Sequence, residues 1–332
     1  MLPRNLSPAA NVLRTSASVA SASTFVGIDG AALSSLAASV RSKSASSTVQ
    51  WDESDWHFVS AAHPEHTALY VLALDALNFC FWPSERGELQ YHHVATALTA
   101  VARASEATPE FAFHPRALAA LTPDSLAALL RPHLPVPLPA LGERCRLLNE
   151  LGCGLAAFYN SEALELIGAA GGSADKLTFL IAATFSGFRD TCVDPVTGQQ
   201  LYFYKRAQIC VGDLYAAFKH QSPADFSDID AVTTFADYRI PQLLRELGVM
   251  TYEKGLAEKV DAGVELPAGG REEIEIRAAT VVVVDRLVKE VRELGGEGMN
   301  SVKMDWYLWQ TGEKLEEAGS MKPHHKTRTI FY

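Results

Sequence analysis

The sequence predicts a mainly α, compact helical fold with one short strand or hairpin near 195–209. Three observations predict it. Apolar residues recur at i, i+3, i+4 and i+7 through most of the chain. Several of these runs open on recognisable helix starts. Alternating, β-branched stretches bounded by turns are scarce.

Leu33, Leu36, Ala37 and Val40 place one buried stripe on a helix over 30–41. The stretch 65–81 is apolar on nearly all sides, as a central helix would be. Thr122-Pro123-Asp124 reads as an N-cap with proline at N1, opening a helix through Leu130. RPHLPVPLP at 131–139 then reads as an extended crossing over the surface. Leu147, Leu148, Leu151 and Leu155 repeat the helical pattern, as do Leu177, Leu180, Ile181 and Thr184 in a helix over 177–187. Pro195 and Gly198 mark a turn before LYFYKRAQI at 201–209, which reads as a strand. A helix follows from Val211 to Phe218. Another begins near Pro241, with Ile240, Leu243, Leu244 and Leu247 on one face. Long helices over 273–294 and 300–318 complete the set.

The chain has 332 residues, 48% apolar and 20% charged, enough to bury a sizeable core without disulfides or metals. Residues 30–332 are expected to form a single domain, preceded by a weakly ordered segment, 1–29. That segment carries Arg4 and Arg14, many serines and no acid before Asp29, the composition of an organellar transit peptide. The alternative is an ordinary first segment leading into the helix at 30. Cys80, Cys145, Cys153, Cys192 and Cys210 form no CxxC pair and read as reduced core thiols of a cytoplasmic protein. The longest apolar run, at 278–288, is cut by Asp285 and Arg286, so no membrane partner is expected. A net charge of −10 without a basic run argues against nucleic acid as partner. It suits a small neutral or singly phosphorylated ligand.

Familiar catalytic signatures are missing. His92-His93 and His324-His325 are adjacent pairs, whose side chains diverge by about 100° on a helix, so neither has the spacing of metal ligands on one face. No GxxxxGK[ST], GxGxxG or GxSxG stands in the right context. Neither metal nor cofactor is therefore expected.

What remains is a set of polar residues where packing alone would favour apolar ones. Asn78 interrupts DALNFCFWP (75–83), and Asp190 closes SGFRD behind the helix of 177–187. Lys205 and Arg206 follow three aromatics in YFYKRAQI. Asp237 lies in FADYRIPQ (235–242), offset from the N-cap position of a helix starting at Pro241. Asp305 and Gln310 flank aromatics in MDWYLWQ (304–310), and the chain closes on HHKTRTIFY (324–332). Each has a plain structural alternative: a cap, a solvated edge, or a surface pair such as Asp305 with Lys303 or Lys314. Together, aromatics interleaved with carboxylates, an amide and cations suit a pocket for a planar, phosphorylated ligand.

The same blocks resemble the motifs of the queuosine salvage family, the queuosine 5′-phosphate N-glycosylases, in order from about residue 8 to the C-terminus. FADYRIPQ and TRTIFY are distinctive; SGFRD alone is weak. The resemblance implies a fold similar to helical DNA glycosylases, and hydrolysis of queuosine 5′-monophosphate to queuine and ribose 5-phosphate. It implies that Asp237 is the catalytic carboxylate and that Asp305, Trp306 and Gln310 bind the base. Gln310 departs from the acid often found there. With these go His57, Asn78, Phe235, Asp190, Lys205 and Arg206 as substrate-binding residues, the two cations being suited to the 5′-phosphate.

That reaction has a physical logic. Breaking an N-glycosidic bond develops positive charge on the sugar, which a carboxylate beneath the anomeric carbon stabilises. Queuine is a 7-deazaguanine, so no N7 is present to take a proton as the base departs. The rival reading is a helical carrier that holds a modified nucleoside without cleaving it; a carrier has no need of Asp237 beside the anomeric carbon.

Overall fold

The computed structural model describes residues 7–44, 51, 55–82 and 89–332. Arg4, cited for the leader-like composition, and Pro83 of DALNFCFWP lie outside the described residues. Those residues form fourteen α-helices and two small antiparallel sheets. The mainly helical expectation therefore holds.

The order begins α1 (Pro8–Ser21), β1 (Val26–Ile28), α2 (Gly30–Ser44), α3 (Pro64–Ala76), α4 (Tyr91–Ser105), α5 (Pro115–Ala119) and α6 (Pro123–Leu130). It continues with α7 (Leu141–Phe158), α8 (Ala163–Ala169), α9 (Ala174–Thr184), β2 (Thr191–Val193), β3 (Gln200–Tyr202) and α10 (Lys205–Ala217). It closes with α11 (Arg239–Glu246), β4 (Met250–Tyr252), α12 (Lys254–Asp261), α13 (Arg271–Glu293) and α14 (Ser301–Glu317). α3 is buried from Thr67 to Ala76 on every side, as its unbroken apolar sequence requires. α6 opens as expected: Thr122 Oγ1 accepts the Ser125 N–H at 3.1 Å, and Ser125 Oγ accepts the Thr122 N–H at 2.8 Å. Arg131–His133 is a 3₁₀ turn in the exposed proline-rich crossing.

Two large apolar cores hold the described residues, with a small third cluster around Phe79, Cys80 and Leu147. One gathers α3, α4 and α6–α10; the other gathers α2, α11, α12 and α14 with the β1–β4 pair. α13 serves both. Ile274, Ala278 and Val281 enter the first, and Ile276, Ala279 and Val283 the second. In the β1–β4 pair Gly27 faces Thr251, where an added Cβ would come within 2.6 Å of Thr251 Oγ1.

Four expectations need correction. The described part of the segment before residue 30 is packed: α1 lies on α13 and β3, burying Ala9, Asn11, Val12, Thr15, Ser16 and Val19. Its small residues allow a close helix approach while giving little hydrophobic signal. The 201–209 stretch is a strand only to Tyr202. Tyr204 then turns into left-handed backbone (φ 51°) and α10 starts at Lys205. Its first turn is buried nearly all round, so no one-sided stripe marks it as helix. α11 begins at Arg239, two residues before Pro241, with Tyr238 at its N-cap; Asp237, one residue earlier, still meets the helix start, its Oδ1 accepting the N–H groups of Arg239 (2.8 Å) and Ile240 (3.2 Å). Finally, all five thiols are free, but Cys153 is exposed and Cys192 half-buried.

Candidate active site

A cavity of about 790 Å³ opens where the two cores meet, within the range that encloses small ligands. α10 presents Lys205, Ile209 and Asp213 to it, at the i, i+4, i+8 spacing of one helix face. α14 presents Asp305, Trp306, Trp309, Gln310 and Glu313. Asp237, Tyr238 and Arg239 enter at the start of α11, and Asn78 from the turn after α3. Trp51, Trp56, His57 and Tyr91 add flat walls, with His324, Lys326 and Tyr332 of the closing segment on the lining as well.

Buried arginines build the turn that carries Asn78. The end of α3 leaves carbonyls without helical partners. Arg206 donates to Asp75 O (3.3 Å), Ala76 O (2.5 Å) and Gly187 O. Arg144 donates to Leu77 O, to Phe79 O (2.6 Å) and to Cys80 O (3.2 Å), and its guanidinium stacks 4.1 Å from the Phe79 ring centre. Asn78 then accepts the Lys205 ammonium at its backbone oxygen and its Oδ1, both at 3.3 Å.

Asp190 fixes the other end of Lys205. Its carboxylate accepts the Lys205 backbone N–H at 3.2 Å and is paired with Arg277 at 2.5 Å. Arg277 also meets Glu273, which accepts the Tyr332 hydroxyl at 2.9 Å. Asp305 Oδ1 accepts the Thr234 hydroxyl and the Phe235 N–H (2.9 Å), tying α14 to the segment before α11.

The electrostatics are those of a crowded acidic site. Burial, then the charge of Asp237, pushes the Asp305 carboxyl up to about 7. Burial lowers Lys205, while Asp237 and Asp75 favour its charged form. Burial lowers His57 to about 4. Its Nδ1 faces the Trp51 carbonyl oxygen at 2.8 Å and must carry the hydrogen there, so Nε2 is the acceptor of the Tyr91 hydroxyl at 2.8 Å. Among the described residues no group of three or more His, Cys, Asp or Glu is placed to hold a metal ion. No described helix is long and apolar enough to cross a membrane.

Of the residues singled out from sequence, the structure brings His57, Asn78, Lys205, Asp237, Asp305, Trp306 and Gln310 to one cavity. It does not bring Asp190, Arg206 or Phe235 there. Arg206 is spent on the end of α3 and Asp190 on Arg277, while the Phe235 ring lies over Gly212 beside Val302. Asp305 pairs with neither Lys303 nor Lys314 but with Thr234 and Phe235. Sequence reasoning missed Asp213, a buried acid in VGDLYAAF, and Arg144. An acid amid Val211 and Leu214 was the available signal. Reading 201–209 as a strand hid its register with Lys205.

Residues 57–332 match the family described as Queuosine salvage protein. A Dictyostelium discoideum protein named queuosine 5′-phosphate N-glycosylase/hydrolase is 40% identical over 268 residues, covering 81% of this chain and 79% of that one. A protein of the same name from Sphaerobacter thermophilus is 38% identical over 276 residues, covering 81% and 82%. One from Mus musculus is 32% identical over 301 residues, covering 85% and 88%. With a family match over most of its length and relatives at this identity, the chain belongs to the queuosine salvage protein family.

Proposed function

We propose that the chain hydrolyses the N-glycosidic bond of queuosine 5′-monophosphate, releasing queuine and ribose 5-phosphate for salvage. The observation that carries the reading is the meeting of Asp237, Asp305 and Lys205 on one wall of an aromatic-lined cavity, in a chain whose relatives bear the name of that activity.

Each group has a task its surroundings suit. Asp237 is oriented through Oδ1 by two backbone N–H groups, while Oδ2 makes no protein hydrogen bond among the described residues. Set beneath the anomeric carbon, it opposes the positive charge that grows on the sugar. Asp305 keeps a proton to about pH 7. As the C–N bond breaks and its electron pair goes to the base, Asp305 gives that proton to the pyrimidine half of the base. Water then adds to the sugar and returns a proton to Asp305, so atoms and charge balance. Trp306 and the facing rings sandwich the base.

Lys205 suits charge compensation better than phosphate reading. It is 2% exposed, and its charged neighbours are Asp237, Asp75 and Asp305 against the single cation Arg206; a dianion placed beside it would press against three carboxyl groups. The 5′-phosphate is better met by Lys326, whose ammonium lies 5.7 Å from the Trp82 ring centre on the cavity lining.

The carrier reading keeps one supporting observation: Asp237 caps α11, which gives it a structural task without catalysis. Incubation with queuosine 5′-monophosphate, following free queuine by mass spectrometry, separates the two. Tight binding without release would sink the hydrolase reading.

A further inference from the structure

The mechanism above leaves the buried acid of α10 unused. Asp213 is 2% exposed on α10, lines the cavity two helical turns beyond Lys205, and has a buried Oδ2 without a hydrogen-bond partner among the described residues. A bare buried carboxyl oxygen is costly, and proteins keep one where something else completes it. Asp75, on the adjacent α3, shares the predicament. Asn78 Nδ2 serves its Oδ1 at 3.3 Å, and its Oδ2 is bare. Burial pushes both carboxyls up, and the charge of Asp75 pushes Asp213 further.

The surroundings restrict what can reach Asp213. The Trp51 indole favours its charged form, and Trp51 itself stacks flat on His57 at 3.9 Å between ring centres, 1° from parallel. The two stacked rings thus form one flat wall at this end of the cavity, beside the buried Asp213 oxygen. A planar ligand lying against that wall can turn an N–H donor on its edge to that oxygen.

We propose that Asp213 is a specificity-determining residue, its Oδ2 accepting the exocyclic amino group of a guanine-type base. The assignment rests on the N-glycosidase reading for the identity of the base but not for the contact itself. A hypoxanthine-type base, lacking that amino group, leaves Oδ2 bare and is rejected for that reason. The contact is distinct from the role of Asp305, which keeps its proton for the departing base.

Titration calorimetry on the full chain with two probe bases, 7-deazaguanine and 7-deazahypoxanthine, tests it. The probes differ only in the amino group. Wild-type protein is expected to bind 7-deazaguanine about 10-fold or more tightly, the difference between a buried oxygen that is met and one left bare. Asp213→Ala and Asp213→Leu, which carry no acceptor and are checked for folding by melting temperature, are expected to bind the two within about 2-fold, on the same arithmetic. Wild-type protein that binds neither base, or both alike, overturns the proposal without any variant. A folded variant that keeps the 10-fold preference overturns it equally. Because binding is read without turnover, failure to cleave queuosine 5′-monophosphate would sink the hydrolase reading and leave this preference standing or falling separately.

Discussion

The Phe235 N–H donates to Asp305 Oδ1 at 2.9 Å, so the segment that delivers Asp237 is anchored to the helix that delivers Asp305 and Trp306. Neither acid can drift from the other without breaking that bond. Their closeness is what raises Asp305 beyond the effect of burial alone.

Asp237→Asn keeps an oxygen to accept the Arg239 and Ile240 N–H groups but removes the charge. The loss should fall on the chemical step, with kcat down roughly 10²-fold or more, as for other electrostatic stabilisers. Substrate affinity and melting temperature should change little, since a capping oxygen remains. Single-turnover cleavage and ligand-shifted melting on one variant decide it. Near-normal cleavage would remove Asp237 from the mechanism; Asp190, bound to Arg277 off the cavity, would not inherit the role.

Asp305 ties both activity and stability to pH, and both fall as pH rises. As a proton donor it should lose effect as pH rises through about 7, giving kcat/KM an alkaline limb there. In stability, a carboxyl whose folded value is raised binds its proton more tightly in the folded state. It therefore costs stability increasingly from the unfolded range near 4 up to about 7, and by a constant amount above. Asp305→Asn should consequently melt higher than wild type at pH 8, by roughly 2 °C or more, and gain much less at pH 4. The same variant should lack the alkaline limb. A wild-type profile flat from pH 6 to 8 would assign proton donation elsewhere.

Lys205 and Lys326 should separate by substrate. Lys205→Met is expected to slow the nucleoside and the monophosphate alike. Lys326→Ala should weaken use of the monophosphate about 10-fold more than that of the nucleoside, the effect of one charge-assisted bond. Steady-state kinetics on both substrates read this out. A selective loss at Lys205 instead would return the phosphate to that residue.

Arg206→Met should be a stability variant. Removing the guanidinium leaves the carbonyls of Asp75, Ala76 and Gly187 unsatisfied in a dry interior, a cost of about 3 kcal/mol or more at 1–3 kcal/mol for each. The midpoint of denaturant unfolding should fall accordingly. The monophosphate-to-nucleoside preference of the folded fraction should not change; a change would bring Arg206 back to the substrate.

What the sequence made legible follows from how each element is buried. α6 was plain because Thr122-Pro123 caps an exposed helix with a one-sided stripe. The site acids Asp237 and Asp305 stood out as charges among aromatics. α10 was hidden because Lys205, Arg206, Ala207 and Gln208 are all buried, so polar and apolar residues alternate without regard to any face. Arg206 and Asp190 looked functional for the same reason. A buried ion serving backbone carbonyls or a buried partner cannot be told, in one dimension, from one serving a ligand. Only the depth and direction of the side chain distinguish them.

α13 has a consequence for how the molecule comes apart. Its residues are shared alternately between two apolar cores, with Ile274 and Ile276 on opposite accounts. Neither half can therefore melt while leaving the other its full interior. Thermal denaturation should follow a single sigmoid, and amide deuteration should be slowest along the middle of that helix, exchanging only through global opening.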